Sequence, residues 1–246
     1  MQLHSNTVLI TGGASGIGLE LARRFLQESS TVIICGRRKA KLDEARKLLP
    51  ELKTLVCDLS KERQRARLAE WAVSEFPRLN ILVNNAGIQQ RVRIADPKKW
   101  SETHEEIAIN LEAPMHLCAL LLPHLVKQER PAILNVTSGL AFTPMSATPV
   151  YCATKAALHS FTLSLRHQLA GTPVQVIEVI PPAVNTDLGG VGLHTFGVAV
   201  DEFVNAVAMG LREGDPEIAY GYSQRASRAS RSELDEIFQR MNQATQ

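Results

Sequence analysis

Short apolar segments alternate with longer amphipathic ones along almost the whole chain, and this alternation restricts the fold more than any other feature. The short segments are rich in β-branched residues, and their length of four to seven residues suits strands rather than helices. Because they are apolar throughout instead of at every second position, we expect a parallel sheet that is covered on both faces. The predicted strands are Thr7–Thr11, Thr31–Cys35, Leu52–Cys57, Ile81–Asn84, Ala132–Thr137, Val174–Ile180 and Glu217–Tyr220.

The segments between the strands carry apolar residues at helical spacing, as Ile17, Leu21 and Phe25 show. Predicted helices cover Ile17–Gln27, Lys41–Leu49, Gln64–Phe76, Ser101–Leu125, Val150–Ala170 and Glu202–Leu211. This order predicts an α/β fold in which a doubly wound parallel sheet of about seven strands carries helices on both faces. No repeat or linker interrupts the order, so we expect a single domain over residues 1–246.

Two segments depart from this order. The segment Leu188–Val200 contains four glycines and is either a lid over a substrate or a loose surface loop. In the tail over 223–246, three arginines precede a short amphipathic helix over Ser232–Met241. A solvated face or a subunit contact is favoured over an anion site for these arginines, which are Arg225, Arg228 and Arg231.

Charge and cysteine usage exclude several classes of protein. The 27 basic and 25 acidic residues give a net charge of +2, which is too balanced for a nucleic-acid partner. The first residues lack the basic and apolar regions of a signal peptide, so we expect a cytoplasmic protein. The four cysteines lack the spacing of a zinc site, so we expect reduced, buried thiols and no metal.

Residues Pro131–Thr154 form a run of 24 residues without Asp, Glu, Lys, Arg or His. A run of this length could cross a bilayer. Its three prolines and its Asn, Ser and Thr residues exclude a membrane helix, and we expect no membrane association. The absence of charge also suits a partly dehydrated active site, because free charges would compete with the charge that develops on a substrate.

A glycine-rich turn follows the first predicted strand and leads into the first helix. Its residues Gly12, Gly16 and Gly18 allow a tight turn, close approach of the backbone to a phosphate, and close packing of helix on strand. The free N–H groups at the helix N-terminus would face a pyrophosphate. The spacing differs from the usual dinucleotide fingerprint, so a plain strand-to-helix turn stays the alternative.

Basic residues follow the second predicted strand, in the sequence Gly36-Arg37-Arg38-Lys39. Dinucleotide-binding folds place here either an acidic residue for the ribose hydroxyls or an arginine for a 2′-phosphate. Because no acidic residue is present and Arg37 can bind two phosphate oxygens at once, the sequence favours NADP(H) over NAD(H). The alternative is that these cations only solubilise the start of the next helix.

Ser138, Tyr151 and Lys155 form a second cluster. Tyr151 and Lys155 are four residues apart, which places both side chains on one face of a helix. A cation this close favours the phenolate, so we expect Lys155 to lower the pKa of Tyr151 toward the range of a general acid or base. Ser138 ends the preceding strand, and ligands bind at the carboxyl ends of strands in such sheets.

With these motifs, the chain resembles the short-chain dehydrogenase/reductase family over nearly its whole length. The matching motifs are Thr-Gly-x3-Gly-x-Gly at 11–18, Asp58-Leu59, Asn84-Asn85-Ala86-Gly87, Asn110, Ser138, Tyr151-x3-Lys155 and Pro181–Thr186. Within the family, Tyr151–Leu169 and Pro181–Leu188 are similar to a bacterial subgroup named after D-alanyl-lipoteichoic acid operons. Pro182 replaces the usual glycine and removes an N–H, so we expect a differently shaped wall beside the nicotinamide.

The resemblance implies a Rossmann fold with strand order 3-2-1-4-5-6-7, a nicotinamide cofactor, and a homodimer or homotetramer. It implies that Asn110 organises a water next to Lys155, and that Lys155 binds the nicotinamide ribose. The implied catalytic residues are Asn110, Ser138, Tyr151 and Lys155. Together with the patterns above, the cofactor-binding residues are Thr11, Gly12, Ser15, Gly16, Ile17, Gly18, Arg37, Arg38, Asp58, Leu59, Asn84, Asn85, Ala86, Gly87, Tyr151, Lys155, Pro181, Val184 and Thr186.

The sequence therefore predicts an NADP(H)-dependent oxidoreductase that transfers hydride between the nicotinamide and a carbonyl or alcohol substrate. Tyr151 would exchange a proton with the substrate oxygen, and Ser138 would hydrogen-bond to it. The alternative is a catalytically silent NADP(H)-binding sensor or scaffold, which usually lacks part of the catalytic set. A serine hydrolase is disfavoured because Ser138 has no Gly-x-Ser-x-Gly context.

The substrate pocket is predicted to be mainly apolar. Such walls favour an uncharged, partly apolar carbonyl compound over a phosphorylated sugar. His194 would contact the substrate or simply be solvated. The predicted walls are Ala141, Phe142, Pro144, Met145 and the segment Leu188–Val200.

Overall fold

A parallel sheet of seven strands runs through the centre of the computed structural model, which describes residues 1–95 and 100–243. The order across the sheet is β3-β2-β1-β4-β5-β6-β7, and every neighbouring pair is parallel. The predicted doubly wound Rossmann topology is therefore confirmed. The strands are β1 Thr7–Thr11, β2 Thr31–Gly36, β3 Lys53–Val56, β4 Ile81–Asn84, β5 Ala132–Val136, β6 Gln175–Ile180 and β7 Glu217–Ala219.

Helices connect the strands and cover both faces of the sheet. Within the described residues, each helix is too short or too polar to span a bilayer. In chain order the helices are α1 Gly16–Gln27, α2 Lys39–Leu48, α3 Glu62–Glu75, α4 Trp100–Ile107, α5 Ala113–Leu125, α6 Pro149–Gln168, α7 Val200–Glu213, α8 Tyr222–Ala226 and α9 Arg231–Asn242.

Successive residues of the central strands contribute to two separate apolar layers. Val8 of β1 belongs to the layer that contains Phe25 of α1 and Phe203 of α7. The next residue, Leu9, belongs to the opposite layer with Leu117 of α5. Burial of both faces explains why these strands are apolar at every position. Because helices cover both faces, the carboxyl ends of the strands are where a ligand can reach the sheet.

The predicted ends of the strands and helices agree with the structure to within two residues. The main difference lies in Ser101–Leu125, which is predicted as one helix. A π-helical turn over Ala108–Glu112 separates α4 from α5 in this segment. The short helix α8 was not predicted, because its five residues are too few to show a helical period.

Buried amides connect the middle of the sheet to α6. The Asn84 side-chain amide of β4 donates to Asn135 Oδ1 of β5 at 2.9 Å, and the Asn135 amide donates to Thr162 Oγ1 of α6 at 2.9 Å. All three side chains are buried. Since a buried polar group is costly unless it is hydrogen-bonded, this chain of contacts fixes α6 against β5.

Candidate active site

A cavity of about 1380 Å³ opens at the carboxyl ends of the strands. Loops that follow six of the strands line it, as expected for the ligand site of an open α/β sheet. The structure thus brings most of the predicted site residues together around one space. The predicted residues that line it are Gly12, Ser15, Gly16, Ile17, Arg37, Arg38, Asp58, Leu59, Asn85, Ala86, Gly87, Ser138, Tyr151, Lys155, Pro181, Val184 and Thr186.

The remaining predicted residues support the cavity from behind instead of lining it. They are Thr11, Gly18, Asn84 and Asn110. Thr11 Oγ1 accepts hydrogen bonds at 3.0 Å from the backbone N–H groups of Asn85 and Ala86. The same hydroxyl donates to the carbonyl of Val83 at 3.2 Å. Thr11 therefore holds the loop after β4 against the end of β1.

The glycine-rich turn after β1 has no room for side chains. Gly12 has a φ of +65°, and a Cβ added there would lie 2.8 Å from Ala86 Cα. A Cβ at Gly18 would lie 2.4 Å from the Asn85 side-chain amide. The missing side chains let the loop after β4 pack directly on the turn, which leaves the backbone of the turn facing the cavity.

The N-terminus of α1 fits the phosphates of a dinucleotide. The helix begins at Gly16, and within the described residues the side chain of Ser15 makes no capping hydrogen bond. The first turn contains no acidic residue, so the helix itself supplies no anion to its free N–H groups or to the positive end of its dipole. Such a terminus lining a cavity is suited to binding a pyrophosphate.

Positive charge is concentrated at the end of the cavity that β2 forms. Arg37, Arg38 and Lys41 line this end. Arg37 Nη1 forms an ion pair with Glu105 Oε1 of α4 at 2.5 Å, and both side chains are partly exposed. Arg37 is therefore oriented along the cavity wall, in reach of an anionic group bound there.

Ser138, Tyr151 and Lys155 meet at the opposite end. Ser138 follows β5, and its Oγ accepts a hydrogen bond from the Leu140 N–H at 3.1 Å. Tyr151 and Lys155 lie on the first half of α6, with Lys155 Nζ 5.7 Å from the centre of the Tyr151 ring. The ammonium donates to the carbonyl of Val136 at 2.7 Å, which anchors α6 to the end of β5.

The expected effect of Lys155 on Tyr151 is not found. Burial is the largest influence on Tyr151 and raises the pKa of its phenol well above the ordinary value, while hydrogen bonding with Ser138 opposes this. Burial also lowers the pKa of Lys155 to about 8. The predicted decrease in the pKa of Tyr151 was therefore wrong in direction. Spacing along a helix shows that two groups approach each other, but it does not show how far both groups are removed from water.

Asn110 lies in the π-helical turn between α4 and α5 and is fully buried. Its Oδ1 accepts from the Ile88 N–H at 2.9 Å, and its amide donates to the Ile88 carbonyl at 2.8 Å. The amide also contacts Thr154 Oγ1 at 3.3 Å, next to Lys155. Asn110 therefore links the loop after β4 to α6, and π-helical turns of this kind often occur at functional sites.

Glu106, one turn before Asn110, was missed by the sequence analysis. Its side chain is fully buried, and burial raises the pKa of its carboxyl to about 7. One carboxyl oxygen accepts from the Gln90 N–H at 3.2 Å, and the other has no hydrogen-bond partner among the described residues. In sequence, a glutamate that packs between two helices looks the same as a glutamate that faces solvent. No sequence pattern could therefore have revealed that Glu106 is buried.

The wall beside Tyr151 is formed by apolar side chains from several loops. The lining includes Leu140, Met145, Leu188, Val191 and Phe196. His194 also lines the cavity, and its Nδ1 is buried without a hydrogen-bond partner among the described residues.

The predicted walls need two corrections. Among the described residues, the lining does not include Ala141, Phe142 or Pro144, because the Phe142 ring turns away to pack on His159. Tyr222 of α8 and Met241 of α9 line the cavity although they were not predicted. These two lie far along the sequence from every recognised motif, and only the return of the tail to the site brings them there.

The segment Leu188–Val200 is tied to the wall of the cavity at its far end. Val198 forms a parallel bridge with Val184, and its N–H donates to the Ala183 carbonyl at 3.0 Å. A Cβ at Gly197 would lie 2.7 Å from that same carbonyl oxygen. Val191 and Phe196, in contrast, expose 87% and 78% of their surface, so the middle of the segment presents apolar side chains to solvent.

Comparisons with known proteins agree with this site. A family model described as short chain dehydrogenase matches residues 6–191, a range that includes the glycine-rich turn, Ser138, Tyr151 and Lys155. An uncharacterized oxidoreductase of Bacillus subtilis (strain 168), named DltE, is 50% identical over 251 aligned residues, which cover 98% of each chain. Its name agrees with the subgroup predicted from sequence.

Two solved structures show the same fold with nicotinamide cofactors. A short chain dehydrogenase from Burkholderia cenocepacia in complex with NADP is 27% identical, has a TM-score of 0.83, and covers 97% of this chain and 99% of its own. A 3-ketoacyl-(acyl-carrier-protein) reductase from Brucella melitensis complexed with NADH is 27% identical with a TM-score of 0.79, covering 90% of this chain and 99% of its own. The two neighbours thus differ in the cofactor that they bind.

Proposed function

The chain belongs to the short-chain dehydrogenase family, which makes it an oxidoreductase with a nicotinamide cofactor, and we propose that it is an NADP(H)-dependent reductase of carbonyl compounds. The reverse reaction would be the oxidation of an alcohol. The observation that carries the proposal is that Ser138, Tyr151 and Lys155 line the same cavity as the uncapped N-terminus of α1. One space can therefore hold both the phosphates of a dinucleotide and a substrate oxygen beside the phenol.

Each of these residues has a role in the proposed reaction. When bound, the cofactor supplies hydride to the carbonyl carbon or accepts it from the alcohol carbon. Tyr151 donates a proton to the substrate oxygen during reduction, and Ser138 hydrogen-bonds to that oxygen. Lys155, held by the Val136 carbonyl, lies 5.7 Å from the centre of the Tyr151 ring, where it would bind the nicotinamide ribose. Asn110 holds the loop and helix that position Lys155.

The raised pKa of Tyr151 favours reduction over oxidation. A phenol whose pKa lies above its ordinary value is protonated at neutral pH, which is the form that a general acid needs. For alcohol oxidation the phenol must first lose its proton, so the reverse reaction should need a more alkaline solution. At neutral pH the phenol is thus in the proton-donating form that carbonyl reduction needs.

The lining of the cavity supports a class of substrate but no single compound. Leu140, Met145, Leu188 and Phe196 are among the apolar residues that line the cavity. An uncharged carbonyl compound with an apolar substituent would bury this surface without leaving a charge unpaired. A homodimer or homotetramer remains a prediction, which the mass of the protein in solution would test.

The proposal is tested by replacing the proton donor. We expect Tyr151→Phe to reduce the rate of NADPH-dependent carbonyl reduction about a hundredfold or more, because general acid catalysis contributes about 100- to 10,000-fold. The dissociation constant for NADPH should stay within a few-fold of the wild-type value. Single-turnover hydride transfer and fluorescence titration measure the two quantities.

Tyr220→Phe is the matched control. The Tyr220 hydroxyl donates to Glu202 at 2.5 Å, outside the lining of the cavity, so this variant should keep wild-type turnover. Substantial turnover by Tyr151→Phe would contradict the assigned role. Tight NADPH binding without turnover of any carbonyl by the wild-type protein would instead indicate a sensor or scaffold.

A further inference from the structure

Glu178 is a carboxylate in the interior of the sheet that the reaction proposed above does not use. It lies on β6 with no exposed surface, opposite Asn135 of β5 and Glu217 of β7. A buried carboxylate is costly to the folded state unless hydrogen bonds or an opposite charge compensate it. The residues that contact Glu178 therefore indicate why this buried position holds a carboxylate.

Two residues compensate Glu178. Thr137 Oγ1 donates to Glu178 Oε1 at 2.6 Å, and His159 Nδ1 lies 2.8 Å from Oε2. His159 is one helical turn beyond Lys155 on α6, and 23% of its side chain is exposed. The carboxylate thus joins a strand end to a histidine that can exchange protons with solvent.

Both flanks of Ser138 contact this pair. Thr137, which binds Glu178, directly precedes Ser138 in the chain. On the other side, the Phe142 ring packs edge-on against the His159 ring with 4.7 Å between ring centres. A change in the pair would therefore shift the backbone on either side of Ser138, while Ser138 itself touches neither group of the pair.

We propose that Glu178 and His159 are positioning residues that hold Ser138 against Tyr151 for the reaction assigned above. The inference rests on the proposed function, because it gives the pair an effect on the rate of hydride transfer. Thr137 transmits the position of the carboxylate to the strand end, and Phe142 transmits the position of the imidazole to the following turn. The pair acts at full strength when His159 is protonated and opposes the carboxylate charge.

The groups around His159 determine the pH range in which His159 is protonated. The hydrogen bond with Glu178 raises the pKa of His159 above its ordinary 6.5, and Glu217 of β7 acts in the same direction. Burial and Arg166 of α6 act against this rise. Because the pKa is raised, the charged pair is complete below pH 6.5 and is lost as the pH rises through the higher value of the folded protein.

The test compares three variants in kcat, KM and pH profile. Glu178→Gln keeps the shape and an acceptor for Thr137 but removes the charge, and we expect about a tenfold loss of kcat, the effect of about one hydrogen bond. The inflection above pH 6.5 that His159 gives the wild-type profile should disappear. Thr137→Val should lower kcat to a similar extent while this inflection persists. Both should leave the dissociation constant for NADPH unchanged.

Glu217→Gln, compared below pH 6.5 where the charged pair is complete, is the matched control, because Glu217 lies beside Glu178 on β7 but pairs with the partly exposed Arg166. It should keep the wild-type kcat. A readout independent of turnover is the NMR titration of the His159 ring, identified by its loss in His159→Gln. The pKa of His159 should fall toward 6.5 in Glu178→Gln and change much less in Glu217→Gln.

The outcomes separate the two proposals. Unchanged kcat and pH profile in both Glu178→Gln and Thr137→Val, beside an active wild type, would overturn the positioning role alone. An unchanged His159 titration in Glu178→Gln would overturn the pair itself, whatever the activity. Absence of turnover in the wild type would overturn the proposed function and the catalytic effect with it. If Glu178→Gln does not fold, Thr137→Val tests the same contact.

Discussion

Arg37 provides the charge that would distinguish two cofactors differing by one phosphate. Its guanidinium lines the cavity beside Arg38 and Lys41 and is held by Glu105. A guanidinium can form two charge-assisted hydrogen bonds with a phosphate, whereas it gains little from a ribose hydroxyl. The proposed preference for NADP(H) therefore depends mainly on this one residue.

We expect Arg37→Gln to weaken NADPH binding about tenfold or more, since hydrogen bonds to charged groups contribute about 1.5–3 kcal/mol. NADH binding should change little. Fluorescence titration with both cofactors measures the ratio of the two dissociation constants. Lys39→Gln is the control, because Lys39 pairs with Asp43 and does not line the cavity. Equal weakening of NADPH and NADH would argue against a 2′-phosphate contact.

Glu106 makes the stability of the fold depend on pH. Its folded-state pKa of about 7 lies above the ordinary 4.5, so the folded protein holds this proton more tightly than the unfolded chain. The stability that it contributes is complete below pH 4.5 and is lost as the pH rises through about 7. Since other groups titrate in the same range, the contribution of Glu106 appears as a difference between variants.

Glu106→Gln should therefore raise the melting temperature relative to the wild type at about pH 8 and have a much smaller effect at about pH 5. The amide keeps an acceptor for the Gln90 N–H but carries no charge to bury. Calorimetry at both pH values measures the difference, with the exposed Glu102→Gln as control. A constant difference at both pH values would show that Glu106 is not the titrating group.

At this scale, the grouping of the proposed catalytic residues was predictable because it depends on spacing that the sequence displays. Because Tyr151 and Lys155 are four residues apart, they were predicted to lie on one helix face, and the structure confirms that they are close together. The pKa of Tyr151 was not predictable, because it depends on burial by loops distant in sequence. Glu106 and Glu178 were missed for the same reason, since neither residue type nor spacing reveals that a carboxyl is buried.

Among the elements, β4, β5 and α6 are coupled by buried amides. Asn135 is the middle member, because it accepts from Asn84 and donates to Thr162. Removing it costs each neighbour one hydrogen bond where water cannot replace it, and leaves Asn84 with the Cys118 thiol and Thr162 with the Leu158 carbonyl. The contact lies on β5 and α6 below the catalytic residues but outside the lining of the cavity.

We expect Asn135→Leu to lower the free energy of unfolding by about 2–3 kcal/mol, as for buried groups left unsatisfied. Urea denaturation measures the change. Gln175→Leu at the exposed start of β6 is the control and should cost less than about 0.5 kcal/mol. A cost as small as that of the control would mean that the amide chain contributes nothing to the packing of α6.

The elements themselves were largely predictable, because burial on both faces makes every strand an unbroken apolar run. The π-helical turn at Ala108–Glu112 was not, since one additional residue in a turn leaves the apolar pattern of a helix almost unchanged. That turn nevertheless carries Asn110, so the irregular part of the element also holds a residue proposed for the active site.

On the scale of the whole molecule, the tail closes the substrate side of the cavity. Asn242, at the end of α9, accepts from the Ser146 N–H at 2.6 Å and donates to the Pro144 carbonyl at 3.0 Å. Its neighbour Met241 lines the cavity, as does Tyr222 of α8. The last described helix, α9, thus fixes the loop that carries Met145. This contact lies away from the end of the cavity that is proposed to hold the cofactor.

Asn242→Ala should raise the KM for the carbonyl substrate several-fold, because it releases the loop from 144 to 146 while leaving Tyr151 and the α1 turn in place. The dissociation constant for NADPH should not change. Gln239→Ala, on the exposed face of the same helix, is the control. Steady-state kinetics measure both variants, and an unchanged KM in Asn242→Ala would exclude α9 from substrate binding.

The strand order and the enclosing core of the molecule followed from the sequence, but the path of the tail did not. Tail residues such as Tyr222 and Met241 belong to no recognised motif. The sequence pattern of α9 predicts where this helix begins and ends, but it does not predict the surface on which the helix packs. Their return to the mouth of the cavity is set by packing, such as the contact of Ser223 Oγ with the Pro181 carbonyl at 2.7 Å.

The strand order also governs how the chain can fold while it is synthesised. β1 lies in the sheet between β2 and β4, whereas the residues proposed for proton transfer follow only after β5 begins at Ala132. A nascent chain can therefore pair the strands around the glycine-rich turn before β5 is synthesised, and Phe203 and Val207 of α7 complete the apolar layer over α1 only later. A dinucleotide that binds this early unit would stabilise it by mass action. The cofactor would then serve the growing chain first as a folding ligand and only later as a reactant.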